Sequence, residues 1–268
     1  MIELTRGTCA VVTGASSGIG EALAERLAAR RFPLVLVARS AERLEGVAAR
    51  LSAVHGTSVR TLPLDLADPA SPAALWAATE EAGTPVELLV NNAGFGINAA
   101  LADTDPDRLA RMLRLNVLTP TELTRRAVVA MGARGRGWIL NVSSTAGIVP
   151  NPYFAPYAAS KAYLRILSEA VHEEAASRGV VVTAICPGFT RTRFAEAARM
   201  ADGSATLFPV SSAADVADAG LWALERGKAC HVPNLLDRIW IASLRLAPRS
   251  LPVRLAGATL ARTRRSGG

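Results

Sequence analysis

The sequence predicts an α/β fold: a doubly wound parallel sheet of about seven strands with helices on both faces, continued by a basic helical extension at the carboxyl end. Three observations lead there. Short apolar, β-branched runs alternate with amphipathic stretches of helical length, the pattern of strand–helix–strand units with right-handed crossovers. A glycine-rich loop follows the first such run directly. Half of the 268 residues are hydrophobic and a fifth are charged, which supplies a sizeable core and excludes wholesale disorder.

In chain order, Thr8 to Thr13 reads as a buried strand, and Gly14 to Gly20 as a loop. Glu21 to Arg30 then has helical periodicity. Leu34 to Ala38 is a second buried strand, followed by a helix from about Ala41 to Val54. Val59 to Leu64 is a third strand ending at Asp65, with a helix from about Pro72 to Ala82. Val86 to Val90 runs into Asn91-Asn92-Ala93-Gly94, and a long helix spans Asp105 to about Gly132, broken near Pro120. Trp138 to Val142 is the fifth strand. Pro156 suits a first helical turn, so a helix carries Tyr157 and Lys161 and ends near Gly179. Val180 to Ile185, a loop-rich segment after Pro187-Gly188, a helix from Ala213 to Arg226 and a short strand at Cys230 to Val232 complete the pattern. Residues 1–233 thus form one domain and 234–268 an extension.

Charge is unevenly placed. From Asn234 onward seven arginines face one acid, Asp237, a balance of +6 out of the total of +7. A nearly neutral body argues against nucleic-acid binding, which spreads cations over a face. Cys9, Cys186 and Cys230 form no Cys-x-x-Cys pair, and the three histidines show no metal-ligand spacing, so no metal is expected. The amino terminus has no signal-peptide core, and no apolar run reaches the roughly 20 residues of a membrane span. The expectation is a cytoplasmic protein.

Two stretches carry chemistry. In Gly14-Ala15-Ser16-Ser17-Gly18-Ile19-Gly20, between a strand and a helix, glycines let the backbone approach a pyrophosphate at the helix amino end. Tyr157 and Lys161 lie four apart on one helical face. A nearby ammonium favours phenolate, so the sequence predicts a tyrosine pKa drawn toward neutrality and a group able to exchange a proton with substrate. The second strand ends Val37-Ala38-Arg39-Ser40, with no acid to bind a ribose diol and an arginine able to hold a 2′-phosphate; this predicts NADP(H).

Thr-Gly-x-x-x-Gly-x-Gly, Asn-Asn-Ala-Gly, a serine ahead of Tyr-x-x-x-Lys, and Pro-Gly after the next strand occur in order. Together they resemble the short-chain dehydrogenase/reductase family over residues 7 to 232. The resemblance implies a Rossmann fold, a nicotinamide cofactor and reversible carbonyl reduction. It places the catalytic roles on Asn116, Ser144, Tyr157 and Lys161: Tyr157 as acid and base, Lys161 holding the ribose and lowering the tyrosine pKa, Ser144 (or its neighbour Ser143) on the substrate oxygen, and Asn116 positioning a water. Asp65 and Leu66 match an adenine pocket; Asn92, Ala93 and Gly94 match the floor under the ribose; Thr190 and Thr192, after Pro187-Gly188, match positions near the nicotinamide amide. Phe95, Ile97, Ile148, Pro150, Tyr153, Phe154, Phe189 and Phe194 are expected to line a hydrophobic substrate side. A homo-oligomer, dimer or tetramer, is the family's habit. An idle NADP(H)-binding sensor or scaffold acting through the tail is the competing reading.

In the extension, Leu236, Ile239, Trp240, Ser243, Leu244 and Ala247 share one helical face, and Arg238, Arg245 and Arg249 the other. Packing of the apolar face on the protein's own body or on a partner subunit is the favoured expectation. The alternative is contact with a membrane surface.

Overall fold

The computed structural model describes residues 2–3, 5–192 and 210–244. Strands β1 (Cys9–Thr13), β2 (Leu34–Ala38), β3 (Val59–Pro63), β4 (Val86–Asn91), β5 (Gly137–Val142) and β6 (Val180–Ile185) precede a separate two-strand pair, β7 (Thr190–Arg191) and β8 (Ser211–Ser212). The last strand, β9 (Cys230–His231), returns to the main sheet. Seven strands run parallel in the order β3-β2-β1-β4-β5-β6-β9. The winding reverses between β1 and β4, the switch point outside whose carboxyl ends such sheets form a crevice.

The inner strands are largely apolar because both sheet faces are covered, whereas the edge strand β3 carries Arg60 and Thr61. Ala10 and Val12 of β1 point to one side with Leu34, Leu36, Leu88, Val90 and Leu140. There they meet α1 (Gly18–Ala29), α2 (Ala41–His55) and α7 (Ala213–Glu225) through Leu23, Leu27, Leu44, Leu51 and Leu221. Cys9 and Val11 point the other way with Val35, Val37, Leu89, Ile139 and Val182. Their cover is α3 (Ser71–Ala78), α5 (Thr119–Ala133) and α6 (Ala155–Ala176), which contribute Leu75, Trp76, Leu123, Met131 and Ala175.

Three elements differ from expectation. The long helix is irregular ahead of Pro120: α4 (Pro106–Leu113) passes through a π-helical turn at Arg114–Leu118, and Pro120 follows it as the second residue of α5. The helix predicted to reach Ala82 stops at Ala78. The apolar face of the last described helix, α8 (Leu235–Leu244), does not pack on the protein's own body. Asp237 is turned inward and buried, while Leu235, Leu236 and Ile239 stand exposed. Arg245, Arg249, Ala247 and the rest of the predicted extension lie outside the described residues, as does Phe194.

Leu140 is fully buried between strands and α7. Leu140→Ala is expected to cost about 2–5 kcal/mol by leaving a cavity, read as a lowered midpoint in denaturant with an unchanged slope.

Candidate active site

The glycine loop is held by contacts that a side chain would abolish. Gly14 has a positive φ of 65°, and a Cβ there would lie 2.7 Å from Asn92 Nδ2 and 2.9 Å from Ala93 Cα. A Cβ on Gly20 would overlap Gly14 O and the same amide. Asn92 Nδ2 donates to Thr13 O at 2.9 Å and to Gly14 O at 3.2 Å. Thr13 Oγ1 in turn accepts from Asn92 N (2.9 Å) and Ala93 N (3.1 Å) and donates to Val90 O (3.0 Å). The loop and the start of the Asn92-Ala93-Gly94 segment are therefore one unit, and Asn92 holds the loop as well as flooring the crevice.

Ser17 precedes α1 in extended conformation and makes no side-chain cap, so the first N–H groups of α1 are not capped by its hydroxyl. A cleft of about 450 Å³ opens beside them, lined by Ser16, Ser17, Gly18, Arg43, Arg191 and Thr192, among others. Its donors, unfilled helix terminus and guanidinium groups fit a dinucleotide's phosphates. Ile19 packs against the core behind the loop. Arg39 is exposed at the end of β2 and near enough to Asp65 to favour its carboxylate. Partial burial of Asp65 opposes ionisation, but the Ala67 N–H at 3.0 Å and the Arg111 guanidinium at 2.6 Å hold its pKa below the usual range. Leu66 is buried, and its carbonyl accepts from Thr119 Oγ1 at 2.6 Å.

The second half of the site lies at the ends of β4, β5 and β6. Tyr157 and Lys161 share one face of α6, both buried. The ammonium lies 5.8 Å from the centre of the phenol ring and donates to Val142 O at 2.8 Å. Ser144 hydrogen-bonds the phenol of Tyr157, and its Oγ also accepts from Ala146 N at 3.1 Å. Ser143 Oγ instead donates to the Lys161 carbonyl at 2.7 Å, a structural tie between β5 and α6. The two neighbouring serines are thereby separated in role. Asn116, in the π-helical turn, accepts from Phe95 N (3.2 Å) and donates to Phe95 O (3.0 Å) and Ser160 Oγ (3.1 Å). A Cβ on Gly94 would lie 3.0 Å from Asn116 Oδ1 and 3.5 Å from Lys161 Nζ, so these three residues converge.

One electrostatic expectation fails. Burial pushes the Tyr157 phenol above its ordinary value, with the Ser144 hydrogen bond opposing this only in part. Burial likewise lowers Lys161 from 10.5 to about 8. In the chain by itself desolvation dominates both groups, and the ammonium spends its hydrogen bond on the Val142 carbonyl.

On the open side, Ile97, Met112 and Tyr157 form a small buried cluster, with Phe95, Ala99, Ala146 and Phe154 packed against it. The Phe154 and Tyr157 rings lie 4.4 Å apart. Tyr153 takes a positive φ of 63°, and its carbonyl accepts from Ala99 N at 2.9 Å. Ile148, Tyr153 and Phe189 are half-buried and Pro150 is exposed. Thr190 donates to Gly188 O at 3.1 Å, and Thr192 packs over Gly18, joining the Pro187-Gly188 segment to the glycine loop.

Sequence reasoning missed several supports. Asn91 donates to Asn141 (2.8 Å) and Thr124 (3.2 Å), and Asn141 donates to Ser168 (2.8 Å), a buried network beneath the site that ties β4, β5, α5 and α6. Polar residues ending two otherwise apolar strands were the available signal. Cys186 and Cys230 stand 3.7 Å apart as free thiols, which their separation of 44 residues hides. Met112 carries no sequence mark of its place under the phenol.

The family model of the short chain dehydrogenases matches residues 8–203. A very-long-chain 3-oxoacyl-CoA reductase of Anas platyrhynchos is 33% identical over 194 residues, 71% of this chain and 62% of the relative. Dehydrogenase/reductase SDR family member 7B of Bos taurus is 34% identical over 209 residues, 76% of this chain and 64% of the relative. The chain thus spans less than two thirds of the length of these curated relatives. Among solved structures, a short-chain dehydrogenase from Sphingobium yanoikuyae in complex with NADPH has a TM-score of 0.79 at 33% identity, covering 89% of this chain and 94% of that one. L-sorbose reductase from Gluconobacter frateurii, complexed with NADPH and L-sorbose, has a TM-score of 0.74 at 28% identity, covering 84% and 94%. A bulky-bulky ketone specific alcohol dehydrogenase from Comamonas testosteroni has a TM-score of 0.75 at 28% identity, covering 90% and 95%.

The Lys161 pKa has a measurable sign. The ammonium is lost as pH rises through about 8, so NADPH affinity, followed by fluorescence titration, is expected to fall above that pH and to lose this dependence in Lys161→Met. In the unfolded chain the lysine titrates near its model value of 10.5. Its buried charge therefore opposes folding below pH 8, and the penalty fades between about 8 and 10.5.

Proposed function

This chain belongs to the short-chain dehydrogenase family of oxidoreductases, and within that family we propose that it is an NADP(H)-dependent enzyme interconverting a hydrophobic ketone or aldehyde and its alcohol. The carrying observation is the placement of a buried phenol, hydrogen-bonded to Ser144 and sharing a helix face with a buried lysine, at the edge of an apolar cluster and across the crevice from the glycine loop.

When bound, the nicotinamide cofactor supplies or accepts a hydride. The residues that would hold it are Gly14 to Gly20 with the start of α1 at the phosphates, Arg39 at the 2′-phosphate, Asp65 and Leu66 at the adenine, Asn92 to Gly94 beneath the ribose, Lys161 at the ribose hydroxyls, and Pro187 to Thr192 at the amide. NADP(H) is favoured over NAD(H) because the segment ending β2, Ala38-Arg39-Ser40, offers a cation and no acid, and Arg43 adds a second guanidinium to the adjoining cleft. NADPH in the named complexes of two solved relatives supports the same choice.

In the reducing direction the Tyr157 O–H donates its proton to the carbonyl oxygen, while Ser144 Oγ–H stabilises the charge developing there. The raised phenol pKa keeps the donor protonated before reaction, and Lys161 stabilises the phenolate left behind. In oxidation the phenolate takes the alcohol proton back. Asn116 acts as a positioning residue: it fixes the backbone at Phe95 and orients Ser160 beneath Tyr157. The apolar cluster at Ile97, Met112 and Phe154 favours a hydrophobic substrate. That agrees with relatives whose names specify very-long-chain 3-oxoacyl-CoA or bulky ketones.

Tyr157→Phe is expected to lower kcat by about 10²–10⁴-fold while NADPH binding persists; undiminished turnover on an active ketone would remove Tyr157 from the reaction. Arg39→Asp is expected to raise the Kd for NADPH by about 10- to 100-fold, the worth of a hydrogen bond to a charged group, with NADH affinity held or improved. An unchanged NADPH preference would sink the assignment of the 2′-phosphate to Arg39.

A further inference from the structure

Helix α8 presents its apolar face to the outside and its one acid to the inside. Asp237 is 6% exposed and packs against Gly188, where a Cβ would overlap its Oδ2. Arg238 also turns toward the body: its guanidinium donates to Val232 O at 2.6 Å and Pro233 O at 3.3 Å. The Asn234 side chain caps the start of the helix through Leu236 N at 2.8 Å. These anchors fix the helix rotation. Leu235, Leu236, Ile239 and Trp240 consequently stand 65%, 60%, 58% and 37% exposed. Trp222, itself 43% exposed, packs on His231, which Arg238 contacts at 3.1 Å, so apolar exposure continues beside the helix base.

An outward row of large apolar side chains marks an interaction surface, and the sequence that follows identifies what it meets. Residues 245–268 carry six arginines and no acid. A second copy of this chain would add another six arginines and no acid from residues 245–268, with nothing to balance their charge. A surface that combines hydrocarbon with negative charge complements both features. We propose that α8 and the chain after it dock this protein on an anionic lipid bilayer. Leu235, Leu236, Ile239 and Trp240 enter the headgroup–acyl boundary, and the arginines pair with lipid phosphates. The contact is peripheral, since among the described residues no helix is long and apolar enough to cross a membrane. Because Asp237 sits on Gly188, the docked helix lies directly behind the Pro187-Gly188 segment of the site, which places that segment next to the bilayer. The proposal does not depend on the reaction assigned above.

The test uses the full chain sedimented with vesicles of about 30% phosphatidylglycerol in phosphatidylcholine, or of phosphatidylcholine alone. Two variants accompany the wild type: L236D/I239D, and one with the six arginines of 245–268 replaced by glutamine. Both should keep the wild-type thermal midpoint, as the first changes exposed side chains only. Wild type is expected to bind the anionic vesicles and to be released as salt rises to about 0.5 M. It should ignore the neutral vesicles. Each variant is expected to lose about tenfold or more in partitioning. The proposal is overturned if wild type stays in solution with anionic vesicles, or if L236D/I239D binds them as wild type does. It is equally overturned if wild type is a dimer without lipid and L236D/I239D a monomer, which would give the face to a second copy.

Discussion

Thr13 and Asn92 tie together the carboxyl ends of β1 and β4, the two strands between which the sheet reverses its winding. The hydroxyl of Thr13 takes both N–H groups that follow β4, and the Asn92 amide takes the two carbonyls that follow β1. In a buried crevice such groups are costly to leave unpaired, so the clamp satisfies the backbone at the place where sheet pairing ends. It also forces the glycine loop against the Asn92-Ala93-Gly94 segment so closely that Gly14 and Gly20 admit no side chain. The cleft over α1 and the convergence of Gly94, Asn116 and Lys161 both follow from that closeness.

Opposite the clamp, burial sets the chemistry. Tyr157 and Lys161 are each held in their uncharged direction by desolvation, the phenol upward and the ammonium down to about 8. At neutral pH the phenol is therefore protonated, while the lysine, still below its pKa of about 8, keeps its charge. The phenol responds to what enters the crevice, since a further cation brought beside it shifts the balance toward phenolate. The site is a proton donor in the absence of other charge and a proton acceptor in its presence, as reversible carbonyl chemistry requires.

Much of this was legible in the sequence for physical reasons. Doubly buried strands are largely apolar, and a backbone packed as closely as the one at Gly14 and Gly20 has to be glycine. A four-residue spacing has to share a helix face. What was not legible depends on direction and on partners. Periodicity identifies Leu236, Ile239 and Trp240 as one face of α8, but it does not say which way the face turns. That was decided by the burial of Asp237 on Gly188 and by carbonyls that hold Arg238. The π-helical turn at Asn116 has the same residue preferences as the α-helices around it. Ser143 and Ser144 differ by one position, and only the extended backbone beyond β5 sends one to the Lys161 carbonyl and the other to Tyr157. The sign of the Tyr157 shift needed the burial and the aim of the ammonium, neither of which is written in a spacing of four.

The central claim, that the crevice and the phenol form two halves of one hydride-transfer site, is tested most directly by isotope transfer. The protein would be incubated with NADPH deuterated at the nicotinamide C4 and a panel of hydrophobic ketones, aldehydes and 3-oxoacyl thioesters, and the alcohols examined by mass spectrometry and NMR. The account predicts deuterium on the carbinol carbon of a product and a proton from solvent on its oxygen. Tight NADPH binding with no deuterated alcohol from any member of the panel would contradict it.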